Sequence, residues 1–275
     1  MRQRCAVPTR KNPGPDSVAR SLDLPKSLLP FVGELFDGLD SLGSDPAMVV
    51  RALRRVPKGA CAIDLACGKG GVAVALGRRL RVTGVDACPD FVLAARALAK
   101  RKRARCTFKV GVVRDVKATP TWDVAMMLGL FGVEKAAPLL RRFVKPGGVY
   151  VVDDAFREEK RARASERTSE RGKKRDPMWE FYLSVPTLSE SRAVFEGLGD
   201  EVVEEIVPTR RAVRDLNRDL YDRIERNARG LAEREPQLSR TIEAFLARQR
   251  EGNTLLSGPI RPAMWVVRKG ASEKG

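Results

Sequence analysis

The sequence predicts an α/β fold: a doubly wound parallel sheet with helices on both faces. Three observations lead there. Short apolar runs alternate with amphipathic segments between residues 60 and 153, and short turns join them, which is the pattern of right-handed strand-helix-strand crossovers. The first run ends in the turn Cys67-Gly68-Lys69-Gly70-Gly71, which opens a helix. The second run ends in Asp86, about twenty residues further on, where open α/β sheets place a ligand-holding acid.

Each element follows from its residues. Residues 1–16 mix Arg, Lys, Pro and Gly without periodicity and read as a basic flexible tail. Residues 17–56 read as an N-terminal helical cap, with Leu28, Leu29, Phe31, Val32, Leu35 and Phe36 at amphipathic spacing. Within it, Ser44-Asp45-Pro46 reads as an N-cap and a first-turn proline, opening a helix through Arg55. Strands are expected at 60–65, 81–86, 105–111, 122–128 and 149–153, with helices at 71–80, 91–102 and 134–143. Lys145-Pro146-Gly147-Gly148 reads as the stop after the last of these helices. Thr187-Leu188-Ser189-Glu190 is a capping box that starts a helix through Leu198. A sixth strand is expected at 201–207, charged amphipathic helices over 210–251 and a last strand over 259–268. The main domain thus spans 57–268, with insertions at 156–185 and 210–251, followed by a tail at 269–275.

Composition excludes several chemistries. The chain of 275 residues contains no histidine, so Ser-His-Asp and Cys-His hydrolases and histidine-ligated metal enzymes are ruled out. Its five cysteines form no Cys-x-x-Cys pair, so neither a disulfide framework nor a zinc site is indicated and no metal is expected. No apolar run is long enough to cross a membrane, and the N-terminus lacks a secretory apolar core. A reduced, cytoplasmic setting is the expectation. The 52 basic residues against 35 acidic ones give a net charge of +17, which brings a nucleic acid into consideration. The charge-dense stretch 156–175 reads either as a solvated excursion or as a phosphate-contacting arm. No aromatic is interleaved in it, which favours the former.

The informative constellation is Ala62-Ile63-Asp64-Leu65-Ala66-Cys67-Gly68-Lys69-Gly70-Gly71 with Asp86. Gly68 and Gly70 allow a tight turn and close approach of a ligand to the backbone, and Asp86 can accept the hydroxyls of a ribose. The dinucleotide spacing GxGxxG and the P-loop pattern are both absent. Asp64 before the turn disfavours a pyrophosphate and favours a cationic ligand. S-adenosylmethionine, with an adenosine, a sulfonium and an ammonium, suits the arrangement. The alternative for Asp64 is a cap on the turn's amides, and for Asp86 a solvated strand end. Cys67 reads as a packing residue rather than a nucleophile.

Residues 60–155 resemble the core of class I S-adenosylmethionine-dependent methyltransferases. Asp64–Gly70 is similar to that family's first motif and Val82–Asp86 to its acidic second-strand motif. Trp122–Leu128 is similar to its fourth-strand segment, and Leu139–Asp154 to the turn into its fifth strand. The resemblance implies a Rossmann-like seven-stranded sheet, mostly parallel, with an antiparallel last strand and helical cap elements of the small-molecule branch. It implies that Asp64 faces the methionine end, with Ala66, Cys67, Gly68 and Gly70 against the cofactor. Asp86 would hold the ribose beside Ala87, with Leu128 and Gly129 under the sulfonium. Where the family often has Gly-Asp after the third strand, this chain has Gly111-Val112-Val113. The adenine would then rest on Val112, Val113 and backbone groups, or the register shifts to use Arg114-Asp115.

No catalytic residue stands out. Asp153, Asp154, Glu180 and Tyr182 are candidates for a base, should the acceptor need one. Asp153 and Asp154 have an alternative as loop caps or arginine partners, and Trp179, Phe181 and Tyr182 as core. The expected reaction is in-line transfer of a methyl group to a small-molecule acceptor. RNA or protein methylation, or a non-catalytic S-adenosylmethionine-binding scaffold, are the alternatives. The Asn-Pro-Pro-Tyr and Asp-Pro-Pro-Tyr segments that nucleic-acid amino-methylating relatives often use are absent.

Overall fold

The computed structural model of the chain describes residues 14–158 and 184–271. Its strands are β1 (Cys61–Leu65), β2 (Arg81–Asp86), β3 (Cys106–Val110), β4 (Trp122–Leu128), β5 (Val144–Arg157), β6 (Glu201–Ile206) and β7 (Ile260–Arg268). They form one sheet in the order β3-β2-β1-β4-β5-β7-β6. Strands β1 to β5 pair in parallel, and β7 is antiparallel to both β5 and β6. The strand order reverses direction between β1 and β4, so the crevice of this sheet opens at the carboxyl ends of those strands.

The helices are α1 (Pro15–Ser21), α2 (Val32–Leu35), α3 (Pro46–Ala52), α4 (Gly71–Leu76), α5 (Pro89–Lys102), α6 (Val133–Arg141), α7 (Leu188–Gly197), α8 (Arg210–Arg234) and α9 (Ser239–Ser257). Local signals set several boundaries. The Asp45 carboxylate caps α3 by accepting from Ala47 N at 2.8 Å, with Pro46 in the first turn. Thr187 and Glu190 close the expected capping box of α7.

Four expectations are corrected. The helical pattern over 17–56 breaks into short pieces, with α3 ending at Ala52 rather than Arg55. Lys145–Gly148 is not a helix stop: α6 has already ended at Arg141, and this stretch is an irregularity inside β5, whose pairing jumps from Trp122↔Val144 to Val124↔Val149. β5 also runs four residues past Asp153, because Asp154–Arg157 pair with Ile260–Ala263 of β7. Cys67, Cys88 and Cys106 are free thiols, whereas Cys61 is disulfide-bonded, a departure from a fully reduced set.

Three large apolar clusters, with a small fourth around Val185 and Ile260, hold the described residues together. On one sheet face Ile63, Val85, Tyr150 and Trp265 pack under Leu140 of α6 and Phe195 of α7. On the other, Ala62, Val82, Val124 and Val151 pack under α4 and α5 through Val72, Val92 and Leu98. Strands covered on both faces read as continuous apolar runs, as β1 and β4 do. The third cluster lies over the carboxyl edge. There Leu28, Leu35 and Phe36 of the N-terminal segment meet Phe91 of α5, Ile224 and Leu231 of α8, and Phe245 of α9. Phe36 and Phe91 meet edge to face at 5.6 Å.

The amino edge is closed by polar groups. Buried Asp200 accepts from Arg141 Nε at 3.0 Å, Tyr150 Oη at 2.9 Å and Gly270 N at 2.8 Å. Lys269 Nζ donates to the carbonyls of Arg141 and Val144.

Candidate functional site

At the end of β1 the chain must leave the sheet abruptly, and it does so through left-handed backbone at Ala66 (φ 62°), Gly68 (52°) and Gly70 (82°). A non-glycine residue in that region stores strain, and such positions concentrate at functional sites. The Asp86 carboxylate fixes this turn. Oδ2 accepts from Gly68 N at 2.8 Å, and Oδ1 accepts from Cys88 N at 2.8 Å at the start of α5. The cap expected as the alternative for Asp64 is thus supplied by Asp86, which is buried and not a solvated strand end, and each of its oxygens keeps a second lone pair for a ligand.

The glycines divide their work differently from expectation. Gly68 lines the cavity described below; Gly70 does not. A Cβ on Gly70 would meet Ala95 at 2.8 Å and Phe108 at 3.0 Å, so its bareness serves helix-sheet packing. Gly71 lines the cavity instead, and a Cβ there would meet the Asp40 carbonyl at 2.5 Å. That carbonyl accepts from Gly71 N at 2.9 Å, so residue 40 of the N-terminal segment lies directly on the turn. Lys69 makes a second attachment: its Nζ donates to the Phe36 carbonyl at 2.6 Å. Burial pulls its pKa down, opposed by Asp37 and Asp40.

A cavity of about 870 Å³ opens above the carboxyl edge. Asp64, Ala66, Cys67, Gly68, Asp86, Ala87, Val112, Val113, Leu128 and Gly129 all line it, as do Asp153 and Asp154. Arg114 also lines it; Asp115 does not and instead ends a short 3-10 turn begun by Val113. The floor is β-strand ends, and the roof is α8 with the 41–48 segment. α8 is fastened to that segment's neighbourhood by Asn227, whose Nδ2 donates to the carbonyls of Leu35 and Asp37.

Four carboxyl groups of this cavity have raised pKa values. Asp64 is 2% exposed, and burial, with Asp86 nearby, pushes its pKa up to about 8. Asp153 is pushed up to about 6 by burial, against a lowering hydrogen bond from Ser44 Oγ at 2.5 Å. Asp154, which accepts from Val133 N at 2.9 Å, and Asp86 are raised for the same reason, burial. None of these four makes an ion pair among the described residues. Burial also raises the Cys67 thiol well above its usual range, which leaves it protonated and a poor nucleophile.

Sequence reasoning missed Ser44 as a partner of Asp153, because 109 residues separate them and no spacing rule links them. Trp179, Glu180, Phe181 and Tyr182, and the 159–175 part of the basic arm, lie outside the described residues. Arg157 of that arm is a structural residue: its Nε donates to the Val185 carbonyl at 2.8 Å. Among the described residues no cluster of potential ligands could hold a metal, and no helix is long and apolar enough to cross a membrane.

The geometry agrees with what the chain is similar to. Residues 62–148 match the family model described as a methyltransferase domain. A solved S-adenosylmethionine-dependent methyltransferase from Geobacter sulfurreducens, in complex with S-adenosylhomocysteine, is 19% identical with a TM-score of 0.67, over 89% of this chain and 98% of that one. One from Thiobacillus denitrificans, in complex with the same molecule, is 19% identical with a TM-score of 0.65, over 86% and 95%. A phosphoethanolamine N-methyltransferase from Haemonchus contortus is 14% identical with a TM-score of 0.62, over 94% of this chain and 60% of that one. No curated protein matches the sequence. Residues 62–148 thus match the methyltransferase domain model, and the sheet that carries them has the fold of class I S-adenosylmethionine-dependent methyltransferases.

Proposed function

We propose that this protein transfers the methyl group of S-adenosylmethionine to a small-molecule acceptor bound in the roofed cavity. The observation that carries this reading is the cavity itself. At one end it has the Asp64-to-Gly68 turn and Asp86; at the other it is enclosed by α8 and the 41–48 segment. A volume of about 870 Å³ has room for a cofactor and a modest second molecule, not for a folded macromolecular substrate. In this reading residues 17–56 and 210–251 are the cap that covers the site.

The residues fit the cofactor. Neutral Asp64 would ionise against an ammonium, Asp86 would accept ribose hydroxyls, and Ala87, Val112 and Val113 would flank an adenine. Leu128 and Gly129 would lie under the sulfonium. When bound, the cofactor supplies an electrophilic methyl. The chain's part is alignment and exclusion of water, and alignment is worth about 7–11 kcal/mol in well-oriented systems. Asp153 is the favoured proton acceptor. A carboxyl with a pKa near 6 is largely ionised at neutral pH yet basic enough to take a proton from an oxygen or nitrogen nucleophile. Asp154, which already accepts two backbone amides, is the lesser candidate.

The Haemonchus enzyme was solved in complex with phosphomonomethylethanolamine, a small phosphorylated amine, which supports a small-molecule acceptor as a class. Radiolabelled methyl transfer from S-adenosylmethionine to two fractions of a cell extract tests the proposal, one below about 1 kDa and one of total RNA and protein. Label in the small-molecule fraction is expected. Label confined to RNA or protein would favour the basic surface instead, and tight cofactor binding with no label anywhere would favour a non-catalytic scaffold.

A further inference from the structure

We infer that Asn217 of α8 selects the acceptor, and that the acceptor is an apolar molecule without negative charge that presents a hydrogen-bond-accepting oxygen to this amide. The inference deepens the methyltransferase reading above and rests on it. Val213, Asn217, Leu220 and Ile224 all line the cavity and recur at the spacing of one helix face. Asn217 is the polar member of that stripe. Its Nδ2 is buried and has no hydrogen-bond partner. Buried amides are nearly always paired, so an unpaired donor on a cavity wall points to a partner outside the chain.

Two further observations define that partner. The lining carries five carboxylates, Asp45, Asp64, Asp86, Asp153 and Asp154, against Arg114, although the chain as a whole is strongly basic. A carboxylate or phosphate acceptor would meet like charge on those that are ionised, and among the described lining residues it would have only Arg114 to pair with. The rim is apolar: Phe131 and Leu216 line the cavity, yet they are 40% and 39% exposed. They belong to a set of only three large hydrophobic side chains exposed among the described residues. An apolar rim on a charged surface marks an entry for an apolar ligand.

α8 begins just past β6, and its Ile224 packs in the cluster that contains Ala87. Asn217 lies about two turns before Ile224 on the same face of α8.

Three probes of one shape test the assignment: 2-acetylnaphthalene, 2-isopropenylnaphthalene and 2-naphthoate. They share a ring system and differ in offering a carbonyl, no acceptor or an anion. Each is titrated at pH 7.5 into the full chain saturated with S-adenosylhomocysteine, using wild type, Asn217→Leu and Asn217→Ala. The acetyl probe is expected to bind about five- to tenfold tighter than its hydrocarbon analogue, the worth of one net hydrogen bond, and naphthoate weakest. Both variants should bring the acetyl and isopropenyl affinities within about twofold of each other while leaving S-adenosylhomocysteine affinity unchanged. An acetyl preference that persists in both variants overturns the role of Asn217. Naphthoate binding best, or no probe binding to wild type, overturns the ligand class. Loss of S-adenosylhomocysteine affinity in the variants would assign the amide to the cofactor and also overturn the proposal. Failure of S-adenosylhomocysteine to bind wild type would instead remove the underlying methyltransferase reading. The same probe series on the ligand-free chain then still decides Asn217.

Discussion

At the amino edge of the sheet, Asp200 and Asp123 each meet a cation; at the carboxyl edge, Asp64, Asp86, Asp153 and Asp154 meet none among the described residues. Asp200 is fully buried yet accepts from Arg141, Tyr150 and Gly270. Asp123 accepts from Lys145 and from Cys61 N at 2.7 Å, and these hold its pKa down against burial. All four carboxyl-edge aspartates are raised, burial being the main cause in each. The difference separates carboxylates whose partners fold with them from carboxylates whose charge is left for a ligand to stabilise. These aspartates accept hydrogen bonds from the fold, but leaving a buried carboxylate without a cation does not stabilise it, so this arrangement marks the site more sharply than the glycine turn does.

The contrast can be broken at either edge. The largest effect is expected from Asp86→Ala. It removes the proposed ribose acceptor and the partner of Gly68 N and Cys88 N, so S-adenosylmethionine affinity should fall at least about 100-fold, close to 3 kcal/mol, by calorimetry. At the other edge, Arg141→Ala leaves the Asp200 carboxylate without its cation. It should cost about 2–3 kcal/mol of unfolding free energy in urea while leaving cofactor affinity unchanged. Weaker cofactor binding in this variant would show that the two edges are not separable.

pH sharpens the comparison. Asp64 has a folded pKa of about 8 against an ordinary value of 3.8, so the folded state holds its proton in a range where the unfolded chain has lost it. Its contribution is fully present below about pH 4 and is lost progressively as pH rises to about 8, at up to about 1.4 kcal/mol per unit. Asp123, lowered, acts in the opposite sense and only at acid pH. The ligand-free chain should therefore lose thermal stability from pH 6 to 7, and Asp64→Asn should flatten that slope. The smallest effect is expected from Ser44→Ala. Losing the hydroxyl that donates to Asp153 should cost about 1 kcal/mol and move the Asp153 pKa further up. In turnover this would appear as an alkaline shift of the ascending limb of the pH-rate profile.

Most of the sheet was legible because its signals are local. The limits of β2 and β4 follow from their apolar runs, and the starts of α3 and α7 from their caps. The Asp64–Gly71 turn and Asp86 were legible because one strand-turn-helix unit requires them in that order. Gly70 was misread since spacing does not distinguish a glycine bare toward a ligand from one bare toward Ala95 and Phe108. The length of β5 was missed because its extension depends on pairing with β7, more than 100 residues away. Lys69, Ser44 and Asn217 were invisible for a related reason: each acquires its role from an element that only the fold brings near.

The central claim is that Asp64 is kept neutral until a cation enters. Calorimetric titration of S-adenosylmethionine at pH 7, in two buffers of different ionisation enthalpy, measures the protons exchanged on binding. Ionisation of Asp64 against the incoming ammonium predicts release of up to about one proton per chain, abolished in Asp64→Asn. Tight binding with no proton release, or with the same release in the variant, would contradict the account.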